Sequence, residues 1–131
     1  MNRLNISSGT VWEASFGYAR AVRIGNVIKV SGTVATDDIG AVIGAGDVYA
    51  QAVFIIAKIE KALNQAGATL EDVVRTRLYV TDIDLWEQLA KAHAEYFAGV
   101  RPATTLIEVQ RLIAPEFLVE IEAEAIVPGE N

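Results

Sequence analysis

Near the C-terminus the residues alternate strictly between apolar and acidic. Val119, Ile121, Ala123 and Ala125 fall on one parity, and Glu120, Glu122 and Glu124 on the other. Successive side chains of a strand point to opposite faces, so this period of two describes a β-strand with one core face and one charged face. Carboxylates in a row on one strand repel unless water or facing cations offset them. The segment therefore requires a sheet that is apolar on one side and either wet or arginine-bearing on the other. A second alternating run, residues 73–80, fits that sheet: Val74, Thr76, Leu78 and Val80 share one face, and Arg75, Arg77 and Tyr79 the other. Glu108 is placed beside the glutamate row. The charged face is either solvated or packed against other subunits through Arg–Glu pairs, and pattern alone leaves both open.

The remaining elements follow from periodicity and turn chemistry. Residues 3–8 read as a short strand that breaks near Gly9. Residues 18–24 and 27–30 read as strands joined at Gly25-Asn26, because both residue types tolerate positive φ in a tight hairpin. Ala52, Ile55, Ile56, Ile59, Leu63 and Ala66 recur at spacings of three and four, which predicts a helix from about Asp47 to Ala66, with Asp47 as N-cap and Gly67 as its left-handed stop. Thr69 and Asp72 resemble a capping box. Asp82 or Asp84 caps a second helix, with Trp86, Leu89, Ala90, His93, Tyr96 and Phe97 inward. Gly99 ends that helix and Pro102 prevents its resumption. Residues 103–110 and 118–126 are the last strands. The order is β-β-β-α-β-α-β-β, an α+β domain spanning residues 1–131, with a six-stranded mixed sheet and two helices on one face.

Two helices cannot cover both faces of such a sheet, and composition sharpens the point. Of 131 residues, 52% are apolar, above the roughly 45–50% of ordinary domains. No uncharged apolar stretch approaches the ~18 residues of a membrane span, so no membrane partner is expected. Cysteine is absent and there is one histidine, which excludes disulfides, thiolate metal sites and a histidine cluster. No metal and no cofactor is expected. A net charge of −6 without a Lys/Arg run argues against nucleic acid as a partner. The N-terminal residues do not form a signal peptide, and a cytoplasmic location is the default expectation.

Several blocks resemble the Rid family, also called the YjgF or L-PSP family. They are Gly17-Tyr18-Ala-Arg-Ala-Val22, Gly25-Asn26 with Val30-Ser31-Gly32, and Val80-Thr-Asp-Ile-Asp84. The C-terminal blocks are Arg101-Pro-Ala-Thr-Thr-Leu-Ile-Glu-Val-Gln-Arg-Leu112 and Val119-Glu-Ile-Glu-Ala123. They occur in family order and spacing from about Tyr18 to Ile126. The resemblance implies a chorismate-mutase-like fold and a homotrimer whose sheets face inward, which would give the uncovered sheet face a partner. It also implies small-molecule clefts at subunit interfaces and cofactor-free hydrolysis of reactive imine or enamine metabolites to ketoacids and ammonia. That chemistry needs an Arg fork for the substrate carboxylate, a positioned water and an apolar cleft.

Carried over residue by residue, the family's site Tyr falls on Tyr18, its strand-end Ser on Ser31, and its water-orienting Glu on Glu120. Three positions depart. The family's site Asn falls on Asp84, its anchoring Arg on Thr104, and a position often Cys on Leu106. Thr104 offers a hydroxyl in place of a charged fork. An ionised Asp84 near an anionic substrate would cost about 4 kcal/mol at ~4 Å and an effective dielectric near 20. That exceeds the roughly 1.5–3 kcal/mol of a charged hydrogen bond. By this reading the site favours neutral or cationic ligands, unless Arg20, on the strand face of Tyr18, or Arg101 supplies the missing cation.

His93 reads as a satisfied core histidine, Trp86 as helix-to-sheet core and Arg111 as a structural pairing residue. The functional alternatives are a cleft hydrolase and a non-catalytic metabolite-binding or interaction trimer. Ribonuclease activity is disfavoured by the charge and the single histidine.

Overall fold

In the computed structural model, which describes residues 2–129, one mixed sheet carries six strands: β1 (Arg3–Ile6), β2 (Ala21–Ile24), β3 (Val27–Thr33), β4 (Val73–Val80), β5 (Ala103–Glu108) and β6 (Val119–Ile126). Their order is β1-β2-β3-β6-β4-β5. Only β4 and β5 pair in parallel, and the C-terminal strand lies between β3 and β4. Three helices accompany the sheet: α1 (Val11–Phe16), α2 (Val48–Gln65) and α3 (Trp86–Phe97). No helix among the described residues is long and apolar enough to cross a membrane.

The core lies where the alternation places it. Val119, Ile121, Ala123 and Ala125 of β6 are all buried, and they meet Ile55, Ile56, Ile59 and Leu63 of α2 in one apolar cluster. Each large side chain buried there contributes about 1.5–3 kcal/mol. The Asp47 side chain accepts a hydrogen bond from Ala50 N, capping α2 at 3.0 Å. At the other end Gly67 adopts φ +86, and Arg23 Nη1 donates to Ala66 O at 2.7 Å, a cation at the negative helix terminus. The Thr69–Asp72 capping box closes a short 3-10 turn.

Several expectations are corrected. Residues 11–16 form a helix because Glu13, its one buried residue, ties the turn down while its apolar side chains stay outside; an inverted helix gives no amphipathic signal. Strand β2 starts only at Ala21, so Tyr18, Ala19 and Arg20 precede it. Val74 is exposed because a register shift between Val73 and Arg75 inserts it as an extra residue opposite β6. The end of α3 is not made by a left-handed Gly99: the positive φ belongs to Arg101, whose N–H returns to Phe97 O at 2.7 Å. Trp86 and Ala90 also prove exposed on α3, while Ala92 takes the buried position.

The uncovered face shows how the glutamate row is tolerated. Lys29 pairs with Glu124 at 3.0 Å, and Arg77 reaches Glu124 at 3.3 Å and Glu122 at 3.7 Å. The Tyr79 hydroxyl donates to Glu122 at 2.5 Å. Glu108 is not in this row: it lies beside Val80, on the helix-covered face, and accepts from Ile83 N at 3.1 Å. Two of the three glutamates therefore have facing donors. Glu120 has none.

Candidate functional site

Glu120 lies at the start of β6, next to an irregularity in β3. Val30 pairs with Ala123 and Thr33 with Ile121, so Ser31 and Gly32 together stand opposite Glu122 alone. Such a bulge re-aims side chains locally. A Cβ on Gly32 would overlap Glu120 Oε2 and push the carboxylate aside. The carboxylate is thus laid across bare backbone at the bulge.

The opposite wall comes from the segment between α1 and β2. Glu13 accepts from Ser8 N at 3.2 Å, from the Ser8 hydroxyl and from the Thr10 hydroxyl at 3.1 Å. Gly17 then turns the chain in the left-handed region at φ 93. Ser31 Oγ donates to Ala19 O at 2.7 Å, stitching this segment to β3. Tyr18, Arg20, Ser31 and Glu120 consequently line one cavity of about 520 Å³, with Trp12, Phe16 and Ile113 at its apolar side. The Arg20 guanidinium carbon stands 5.6 Å from the Tyr18 ring centroid, within cation–π range. Its Nη2 donates to Gly32 O at 2.7 Å.

The electrostatics separate Glu120 from its neighbours. Burial pushes its carboxyl above the ordinary 4.5, against a smaller lowering by Arg20, and Glu122 adds to the rise. Glu124 moves the other way, held below 4.5 chiefly by its hydrogen bond from Lys29 and also by Arg77. For Glu13, burial alone would raise the value, but the hydrogen bonds from Ser8, Ser7 and Thr10 hold it below 4.5.

Of the residues that the family resemblance singled out, Tyr18, Ser31 and Glu120 come together. Asp84, Thr104 and Leu106 do not join them within one chain. Thr104 and Leu106 sit opposite Thr76 and Leu78 on the sheet edge, facing the helices, whereas Glu120 is paired with Tyr79 on the other face. Asp84 is in an exposed 3-10 turn before α3, its N–H held by Asp82 at 3.0 Å. Thr104 is engaged locally. Its hydroxyl is 3.1 Å from Pro102 O and 2.8 Å from Thr76 Oγ1, which is 2.9 Å from His93 Nε2. If Thr104 donates to Pro102 and Thr76 to Thr104, His93 must donate to Thr76 from Nε2. Burial lowers the His93 pKa from the ordinary 6.5, and the ring is half-buried with Nε2 engaged by Thr76, in line with the structural role the sequence suggests.

Two site residues escaped recognition from the sequence. Lys58 of α2 lines the cavity with Arg20, but a lone lysine on a helix carries no signal. Gln51 is fully buried. It accepts from Leu118 N at 2.9 Å and donates to Glu116 O at 2.9 Å, fixing the chain just before Glu120. Among the described residues no group of three or more His, Asp or Glu is placed to hold a metal ion.

Comparison with known proteins fits this geometry. The model of a family described as "Endoribonuclease L-PSP" matches residues 10–127. A crystal structure of a YjgF/YER057c/UK114 family member from Mycobacterium tuberculosis superposes with a TM-score of 0.88 at 49% identity, covering 96% of this chain and 100% of that one. An uncharacterized protein of Streptomyces coelicolor is 38% identical over 92% of this chain and 89% of its own. The 3-aminoacrylate deaminase RutC of Acinetobacter baylyi is 32% identical over 82% of this chain and 85% of its own.

Proposed function

The chain belongs to the L-PSP family, the Rid or YjgF family of the motifs quoted above, and from that premise we propose that it hydrolyses reactive imines or enamines to oxo compounds and ammonia. The observation that carries this reading is Glu120: a carboxylate without an ion pair among the described residues, its pKa raised by burial, beside Tyr18, Ser31 and Arg20 in an apolar-sided cavity. A carboxylate raised toward neutrality is a better general base than one at the ordinary value. The deaminase name of the Acinetobacter relative supports an enamine or imine as the substrate class.

The steps are simple. A water held by Glu120 attacks the iminium carbon; a C–O bond forms and the C=N π pair moves to nitrogen. Glu120 takes a proton from that water and returns it to the nitrogen. The C–N bond then breaks with its electron pair on the departing ammonia. The remaining hydroxyl loses its proton to the ammonia as the carbonyl forms. Water is the only co-reactant and no electrons are exchanged. Ser31 orients rather than reacts, because its proton is committed to Ala19 O.

The same proposal includes a homotrimer. Phe16 and Ile113 at the cavity mouth are 86% and 81% exposed, an apolar rim of the kind that marks an interaction surface. A neighbouring copy's edge, carrying Asp84, Thr104 and Leu106, would close that rim. The engagement of Thr104 with Thr76 and His93 favours a second reading, a trimer that binds a metabolite without turning it over. RNA cleavage is disfavoured by the net charge of −6 and by a histidine committed to Thr76.

The test is direct. A dehydratase generates 2-iminobutanoate in situ, and ammonia release is followed with and without the protein. The reading predicts acceleration by the wild type and its loss in Glu120→Gln. No acceleration with 2-iminobutanoate, 2-iminopropanoate or 3-aminoacrylate would contradict hydrolysis and leave the binding reading.

A further inference from the structure

A second cavity of about 610 Å³ adjoins the first, and Arg20, Thr36 and Lys58 line both. The wall between them therefore carries two cations. Arg20 is only 6% exposed. A guanidinium offers five N–H donors, yet the one protein acceptor it reaches among the described residues is Gly32 O. Its Nε is buried with no partner. Buried N–H groups on charged side chains are normally satisfied, and an exception calls for an explanation, one of which is a bound acceptor. Lys58 is half-buried and spends one donor on Thr36 O at 3.0 Å. Burial first, and then the charge of Arg20, lower its pKa below 10.5.

Carboxylates do exist nearby. Asp38 lines the second cavity, and Asp37, Glu13 and Glu120 are close enough to influence these cations. None of them makes an ion pair within 4.0 Å of Arg20 or Lys58 among the described residues. The two cations share a half-buried wall, and the free donors on both lack an acceptor.

We infer that Arg20 and Lys58 form an anchor for the carboxylate of a small anionic substrate, at the wall between the two cavities. A guanidinium and an ammonium converging on one carboxylate supply charge-assisted hydrogen bonds from both sides. Position supports the same assignment. Arg20 holds the Gly32 carbonyl, and Glu120 lies over the Gly32 Cα, so anchor and base flank a single residue. In a 2-imino acid the carboxylate carbon is bonded directly to the imine carbon. With the acid group on Arg20 and Lys58, the electrophilic carbon is offered to the water at Glu120. The anchor thus comes from the segment just before this chain's own second strand and from its first long helix, and Thr104 is not needed for it. This takes up the alternative in which Arg20 supplies the missing cation, in place of a site that favours neutral or cationic ligands. The identity of the substrate rests on the hydrolase reading; the anion preference of the wall does not.

Calorimetric titration of the full-length protein with 2-oxobutanoate and with uncharged 2-oxobutanamide tests the anchor. Wild type is expected to bind the acid roughly tenfold or more tighter than the amide, the effect of one charged hydrogen bond. Lys58→Met and Arg20→Gln are each expected to remove about tenfold of that preference, with Lys58→Arg restoring it. Equal binding of acid and amide, or an undiminished preference in Lys58→Met, overturns the anchor. Should Arg20→Gln fail to fold, the Lys58 pair decides the matter. A strong acid preference without imine turnover contradicts hydrolysis and leaves the anchor standing. Turnover without any acid preference does the reverse.

Discussion

Glu120 and Glu124 occupy the same face of the same strand, four residues apart, and their surroundings separate them. Glu124 is embraced by Lys29 and Arg77 at 3.0 and 3.3 Å, and its carboxyl is held below 4.5. Glu120 faces Tyr79 across the ladder, leans over a glycine in a bulge, and is raised above 4.5 by burial. The alternation makes them equivalent; packing pairs one with two cations and leaves the other, among the described residues, without an ion pair. A paired surface carboxylate stabilises weakly and reacts poorly. An unpaired, partly desolvated one weakens the fold and is available for chemistry.

Several substitutions would break or sharpen that contrast. The largest effect is expected from Glu120→Gln, which should lower kcat for 2-iminobutanoate hydrolysis by about 10²–10⁴, the usual contribution of a general base. The same change should raise thermal stability at pH 7, because it removes a charge that burial disfavours. Glu124→Gln should leave kcat unaltered, and an equal loss in both variants would erase the distinction.

Next comes the scaffold behind Glu120. Gln51→Ala strands Leu118 N and the Glu116 carbonyl, so a loss of about 3 kcal/mol is expected in urea denaturation. Lys29→Ala at the Glu124 end removes one partly exposed pair and should cost less than about 1 kcal/mol. Gly32→Ala follows, because its methyl would displace the Glu120 carboxylate. It should lower kcat by roughly tenfold, a misplacement effect, with secondary structure retained by circular dichroism.

The smallest effect concerns acid stability. A carboxyl lowered in the folded state contributes stability that is present above its unfolded value near 4.5 and is lost as pH falls through the folded value. Glu124 has that sign. Glu120 has the opposite sign, costing stability as it ionises with rising pH. Melting temperature followed from pH 7 to pH 3 should therefore fall less steeply in Glu124→Gln than in wild type. It should fall more steeply in Glu120→Gln, and a change in the same direction for both would contradict the account.

Much of this was legible in the residues. Periods of two and of three to four located β4, β6 and α2 because each has one face in the core. Gly25-Asn26, Asp47, Gly67 and the Thr69–Asp72 box marked ends by local chemistry that tertiary contacts do not override. The family motifs brought Tyr18, Ser31 and Glu120 to one cavity. Helix α1 stayed hidden because its anchor is an acid held by Ser8 and Thr10, with the apolar residues outside. The extra residues at Val74 and at Ser31-Gly32 shift register without changing composition. That Thr104 and Glu120 lie on different faces of one chain's sheet stayed hidden, because a sequence does not show which face a strand-edge residue takes. Lys58 needed the tertiary structure, since only packing sets it beside Arg20.

Site-resolved carbon NMR titration of the glutamate side-chain carboxyls tests the central claim most directly. The account predicts a Glu120 midpoint above 4.5 and a Glu124 midpoint below it in the same folded sample. Coincident midpoints, or the reverse order, would contradict it.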